Sequence, residues 1–302
     1  MAHRYIFEMI DRSLRDLMNS SVPFGNKIFI CSGDFRQMAP VVEKARTPAD
    51  VACVSLRASH LWRLFTLFSL TTPQRTSGSI DYSNFLLGVG NGTIKSFTFW
   101  RRPRERVSLI PLTGVRCLTS LADLITDAFP PGVLRDPDLC ARRAILSTLN
   151  VNVKEINGRI LDLMDGRIHE LRSADTVDRE DDDGLDVDVN LLNQATGKGV
   201  PVSRPASQGS RLPKDRRSGF VAVSSPSCWR YCMTGHKSQG QTIEYVGVDL
   251  RTDCFTHGQL YVLLSRVRRP DDIVVLVPDD RIVEGVAYAK NIVYDELLLN
   301  TD

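Results

Sequence analysis

Apolar residues recur every three or four positions from Ile6 through Ile10, Leu14 and Leu17, the spacing of an amphipathic helix, and the turn-forming stretch NSSVPFGN ends it. KIFICS (27–32) is a continuous apolar run; it predicts a short strand buried on both faces of a parallel sheet, terminated by Gly33 and Asp34. ASHLWRLFTLFSL (58–70) predicts a short helix and a second strand, and YSNFLLG (82–88) another helix. RAILS (143–147) predicts a strand that leads into a helix over 151–164, where Val153, Ile156, Ile160, Leu161 and Met164 fall at helical spacing. Near the C-terminus, VGVDL, THGQLYVLLSRV with Thr256 as N-cap, and DDIVVLV predict a βαβ unit. Strands alternating with helices place the chain in the α/β class, and no internal repeat is visible.

Two stretches interrupt this alternation. Residues 175–188 (DTVDREDDDGLDVD) form an acidic run that reads as a solvated loop, because it lacks the alternating ligands, central Gly and closing Glu of a Ca²⁺ loop. Residues 197–219 are rich in Pro, Gly, Lys and Arg with few apolar side chains, and read as a flexible basic linker. The formal net charge of the whole is only +2, so any polyanion must be recognised by a local patch. With 42% apolar residues over 302 positions the chain can bury a core. No apolar run approaches the length of a membrane span, and charges interrupt the N-terminal apolar positions, so no signal peptide is expected and the expected location is intracellular. Seven scattered cysteines without a C-x-x-C pair point to free thiols rather than zinc or disulfides.

Chemistry gathers where predicted strands end. GDFRQ (33–37) leaves a strand at its carboxyl end, where open α/β sheets hold ligands, so Asp34, Arg36 and Gln37 are candidates. KSQGQT (237–242) combines hydroxyls, amides and backbone N–H groups with a cation, a donor set suited to a phosphate chain. Arg266 follows an apolar helix; it is either a partner for the helix dipole or an arginine finger aimed at a γ-phosphate. Arg75 stands at the exit of the other predicted strand, in LTTPQR. GVGNGT (88–93) resembles a phosphate loop but follows a helix rather than a strand and has the wrong glycine spacing, so it reads as a turn. The pattern G-x-x-x-x-G-K-[ST] occurs nowhere in the chain.

Taken in order, PFGNKIFICSGDFRQMAPVV, LWRLFTLFSLTTPQR, MTGHKSQGQTIEYVGVDL and FTHGQLYVLLSRVRRPDDI resemble the Pif family of superfamily 1 DNA helicases, especially the branch encoded by helitron transposons. The resemblance covers about Met1–Ala174 and Cys228–Val277. It implies two RecA-like lobes with parallel sheets: residues 1–112 as an incomplete first lobe with the seam region, and 113–302 as the second. ATP·Mg²⁺ would bind in the cleft, single-stranded DNA across the lobes, and hydrolysis would drive the motor 5′ to 3′ in repair, recombination, telomere maintenance or transposition in the nucleus. By the same resemblance Gln37 would sense the γ-phosphate and attacking water, while Arg75 and Arg266 would stabilise its transition-state charge. Gly33, Asp34, Gly240 and Gln241 would face the nucleotide; Thr234, His236, Lys237 and Ser238 would lie nearer the DNA backbone. Gly235-His236 departs from the Ile-Asn or Val-His that commonly precedes this lysine.

The resemblance also identifies gaps. The family's phosphate-loop lysine, its Mg²⁺-binding hydroxyl and its Asp-Glu pair have no counterpart, and MAHRYIFEMIDRSLRDL is similar to the stretch that follows that pair. No metal ligand is therefore assigned. Between Gly199-Val200-Pro201 and Cys228, where relatives carry an insertion with an SH3-like subdomain, only the basic linker stands. The readings left are a partial ATP-dependent helicase, and a decayed transposon product that at most binds nucleic acid through Arg101, Arg102, Arg104, Arg106 and the linker. A third is an adaptor that supplies arginines in trans to a partner lobe.

Overall fold

The computed structural model describes residues 2–40, 42, 47–70, 72–102, 105–164 and 231–298, with side chains 100–106 excepted. The acidic run and the basic linker lie outside the described residues, as do the side chains of Arg101, Arg102, Arg104 and Arg106.

The chain starts with helix α1 (Arg4–Leu17). The Asp11 carboxylate is buried beneath it, accepting from Phe24 N–H at 2.6 Å and from Arg15. A turn at Pro23–Asn26 follows. Helix α2 (Pro48–Ala52) starts with a reciprocal cap between Thr47 and Asp50, and α3 (Ile80–Asn91) stops at Gly92, whose φ of 69° only glycine adopts readily. GVGNGT is thus the end of a helix and its cap. Strands β1 (Phe97–Arg102) and β2 (Glu105–Pro111) form an antiparallel hairpin.

After β3 (Arg116–Leu118) come α4 (Leu121–Ala128), α5 (Pro131–Leu134) and α6 (Pro137–Ala141). Then follow β4 (Arg143–Ser147), α7 (Asn150–Asp162), β5 (Cys232–Thr234) and β6 (Tyr245–Asp249). Helix α8 (Gln259–Leu264), β7 (Ile273–Leu276), β8 (Ile282–Val283) and β9 (Val286–Ala289) complete the order.

Two sheets result. The larger has the order β3-β7-β6-β4-β5 and every pairing in it is parallel, so successive side chains enter alternate faces. Ala144, Leu146, Val246, Val248, Ile273 and Val275 pack on one face with α3 and α8. Ile145, Cys232, Val274 and Leu276 pack on the other with α4 to α7. Helices on both faces of a parallel sheet make this an α/β lobe, as the alternation in the sequence predicts, and one compatible with the RecA-like lobe that the resemblance implies. The smaller sheet, β1-β2-β9-β8, is antiparallel and draws strands from both sides of residue 112.

Three sequence expectations are corrected. KIFICS is extended but pairs with no strand among the described residues, and Ile28 and Ile30 are 93% and 86% exposed. FTLFSL behaves the same way, with Phe68 and Leu70 at 88% and 93% exposure. An apolar run becomes a buried strand only where neighbours take up its N–H and C=O groups, and none of the described strands lies beside either run. Helix α8 is shorter than THGQLYVLLSRV suggests: its N-cap is Gly258 at φ 69°, not Thr256.

Candidate functional site: the seam between GDFRQ, the 235–242 turn and Arg266

The GDFRQ segment folds as a turn around its own carboxylate. Asp34 Oδ1 accepts from the Arg36 backbone N–H at 3.0 Å and from Arg36 Nε at 3.1 Å, while Gln37 N–H donates to Asp34 C=O. The second carboxylate oxygen reaches across to α8 and accepts from Tyr261 O–H at 3.0 Å. Two glycines let the turn sit this close. A Cβ on Gly258 would stand 2.3 Å from Arg36 O, and one on Gly90 would stand 2.9 Å from Arg36 Cδ. Beyond Gln37, Met38 is fully buried and its Cε lies 3.7 Å from the Cβ position of Gly235, which brings GDFRQ against the 235–242 turn.

That turn is β5 running into a tight turn at Gly235–Ser238. Ser238 is fully buried and its hydroxyl donates to Gly235 C=O at 2.8 Å, so it closes the turn rather than reaching the surface. Lys237 is exposed, His236 and Thr234 are half-buried, and burial lowers the His236 pKa below its ordinary value of 6.5. Gly240 takes φ 80° with open space around it. Gln241 is exposed and its amide donates to Lys237 C=O.

Arg266 closes the arrangement. Only 1% exposed, it donates from Nε to Val262 C=O, from Nη1 to Ser238 and Gln241 C=O, each at 3.2 Å, and from Nη2 to Ser265 Oγ at 2.7 Å. Arg75 donates to Thr242 Oγ1 at 3.0 Å and to Ser265 C=O at 2.8 Å. Neither arginine makes an ion pair among the described residues; every partner is neutral. Burial first, and then the neighbouring Arg75 charge, push the Arg266 pKa down to about 10, against the smaller opposing pull of Tyr261 and Asp34. The bond to Val262 C=O in the last turn of α8 fits the dipole-partner reading of Arg266, and the rest of its fork ties the end of α8 to the turn at 238–241.

Sequence reasoning missed three residues that hold the seam together. His257, Gly258 and Tyr261 read as a helix start and core positions, yet each contacts GDFRQ directly. The polar tips in THGQLY were the available signal, since a helix meant only for a core needs no His or Tyr there. Gly33 is the outlier of the predicted set: exposed, with nothing near its Cβ position.

The described residues of the seam offer no set of ligands for Mg²⁺. Asp34, the carboxylate of the seam, is already shared by Arg36 and Tyr261, and among the described residues no group of three His, Cys, Asp or Glu could hold a metal ion. Nor is any described helix long and apolar enough to cross a membrane.

Residues 1–98 match the family model described as PIF1-like helicase. The chain is similar to a curated ATP-dependent DNA helicase PIF1 from Danio rerio, 26% identical over 314 residues, covering 94% of this chain and 46% of the relative; it spans about half that relative's length. Its fold is similar to that of Pif1 helicase from Candida albicans (TM-score 0.57, 18% identity, covering 91% of this chain and 69% of that one). It is also similar to Bacteroides Pif1 in complex with ADP-AlF3 and ssDNA (TM-score 0.51, 18% identity, 99% and 71%). The family match takes in GDFRQ and LTTPQR, so residues 1–98 are similar to PIF1-like helicases, and the chain as a whole shares the fold of the solved Pif1 helicases.

Proposed function

We propose that this chain carries the second lobe and the nucleotide-facing seam of an ATP-dependent 5′-to-3′ DNA helicase, a nuclear motor working in repair, recombination, telomere maintenance or transposition. The observation that carries the reading is the buried Arg266, in no ion pair among the described residues, beside Arg75, both fixed on the 238–242 turn. A pair of guanidiniums with only neutral partners is completed by an anion, and a γ-phosphate with charge spread over its oxygens suits two converging forks. In this reading Gln37, on the adjoining GDFRQ turn, orients the attacking water. Gly33, Asp34, Gly240 and Gln241 line the nucleotide side, with Asp34 acting through Arg36 and Tyr261. On the DNA side, exposed Lys237 leads, with Thr234 and His236 behind it, and Ser238 serves by shaping their turn. ATP and single-stranded DNA are the partners this arrangement fits.

The seam supplies neither a phosphate cradle nor Mg²⁺ ligands, and G-x-x-x-x-G-K-[ST] occurs nowhere in the 302 residues, so turnover by them alone is not expected. A second reading, a nucleic-acid-binding product without ATPase activity, draws on the KIFICS and FTLFSL segments, which are exposed and pair with no strand among the described residues. One experiment separates them: DNA-stimulated ATP hydrolysis, with and without Mg²⁺, by the chain alone and joined to the phosphate-loop segment of a PIF1-like relative. The helicase reading expects turnover only in the joined protein and its loss on Arg266→Ala. Wild-type turnover in the joined Arg266→Ala protein removes the arginine's role, and no turnover in the joined wild type favours the second reading.

A further inference from the structure

His257 is a fully buried ionisable group that joins two segments of the seam. Its Nε2 lies 2.8 Å from Phe35 C=O, an acceptor, so this nitrogen carries the proton. Its Nδ1 lies 2.8 Å from the Tyr294 backbone N–H, a donor, so this nitrogen is bare. Both partners are satisfied by one tautomer of the neutral ring and by no other state. The Tyr294 ring also stacks on the imidazole at 5.4 Å.

Each partner belongs to a longer element. Phe35 is the centre of GDFRQ, two residues before Gln37. Tyr294 lies in a C-terminal segment, 291–297, that runs as a strap over the seam. Asn291 donates to Val89 C=O of α3, Ile292 C=O accepts from Gly258 N–H, and Leu297 is fully buried. We propose that His257 is a positioning residue: as the Nε2–H tautomer it fixes the carbonyl of Phe35, and with it the turn bearing Gln37, while its other nitrogen fastens that turn to the C-terminal strap. The strap, the GDFRQ turn and the start of α8 then move as one body, and Gln37 keeps its place relative to Arg266. The consequence for catalysis rests on the nucleotide-facing reading of Gln37; the fastening itself does not.

The test is run without nucleotide or DNA, so that a failure of the helicase reading leaves it untouched. Amide hydrogen exchange is compared for the full chain and two variants. His257→Gln places an amide donor near the Nε2 position and removes the acceptor for Tyr294; His257→Asn places an acceptor near Nδ1 and removes the donor to Phe35. The expected pattern is crossed: exchange in 291–297 rises roughly five- to tenfold in His257→Gln, and exchange in 34–38 rises by the same factor in His257→Asn, about the worth of one hydrogen bond. Exchange within β7 stays as in the wild type. Unchanged rates in both variants, or equal loosening of both segments in both, overturn the proposal. Should the variants fail to fold, long-range ¹H–¹⁵N spectra of the wild type decide: a proton on Nε2 with a bare Nδ1 supports the fastening, and a proton on Nδ1 overturns it.

Discussion

RAILS and KIFICS carry much the same pattern, a short apolar run ending in serine, and they meet opposite fates. RAILS becomes β4, with β6 on one side and β5 on the other; its last four residues are buried between two layers of helices. KIFICS turns only Phe29 inward, stacked on Phe24 at 4.3 Å, and leaves Ile28 and Ile30 in solvent. The difference is not propensity, since both runs favour the extended state. A central strand is stabilised by two hydrogen-bonded neighbours and two covering layers, and the run at 27–32 has none of these among the described residues. Apolar pattern alone reports what a segment would do if its sheet were present.

The largest effect expected from this contrast is at Ile145, which is fully buried. Ile145→Ala should cost about 2–5 kcal/mol through lost transfer energy and the cavity left behind, whereas Ile30→Ala should stay within about 0.5 kcal/mol, as for an exposed site. Urea unfolding followed by circular dichroism measures both. An Ile30→Ala cost comparable to that of Ile145→Ala would show that the first segment sits in a core in solution, and the contrast between the regions would fail.

Gly258→Ala comes next. The added Cβ would sit 2.3 Å from Arg36 O at a backbone φ of 69°, so either the GDFRQ turn withdraws or the start of α8 shifts, at roughly 1–3 kcal/mol. This substitution sharpens the comparison because it strikes the contact between the exposed region and the packed lobe. Protease cleavage within 33–38 should accelerate while the parallel sheet stays protected. If the sheet loosens together with the turn, the two regions are one cooperative unit.

What the sequence made legible follows the same divide. Strands β4, β6 and β7 and helices α3 and α7 were readable because each packs within one complete α/β layer system, where period and burial agree. Helix α1 was readable because amphipathic periodicity needs only one covering face. The β1–β2 hairpin went unread, and its union with β9 escaped because a short pairing far apart in sequence leaves no local signature; Ile110 pairs with Ala289. At the seam, Arg266 and the 235–242 turn follow a helix and a strand as the sequence suggests, whereas the run before Arg75 forms no strand among the described residues. The roles of His257, Gly258 and Tyr261 were not, because a close backbone approach and a particular imidazole tautomer are properties of two segments brought together, not of either one.

The smallest expected effect tests where the boundary between the regions runs. Tyr82 lies on α3, early in the chain, yet it packs in the same cluster as Leu146, Val248 and Val275 of the large sheet. Its buried hydroxyl donates to Leu264 C=O at the end of α8, at 2.7 Å. Tyr82→Phe keeps the ring and removes this one bond, so a loss of about 1 kcal/mol is expected, with no change in protease cleavage at 33–38. That outcome would assign α3 to the packed lobe and leave residues 27–70 as the region that lacks a sheet. If Tyr82→Phe instead frees the GDFRQ turn, the hydroxyl at Leu264 controls the seam as well as the core, since Leu264 directly precedes the Ser265-Arg266 pair through which both arginines are held.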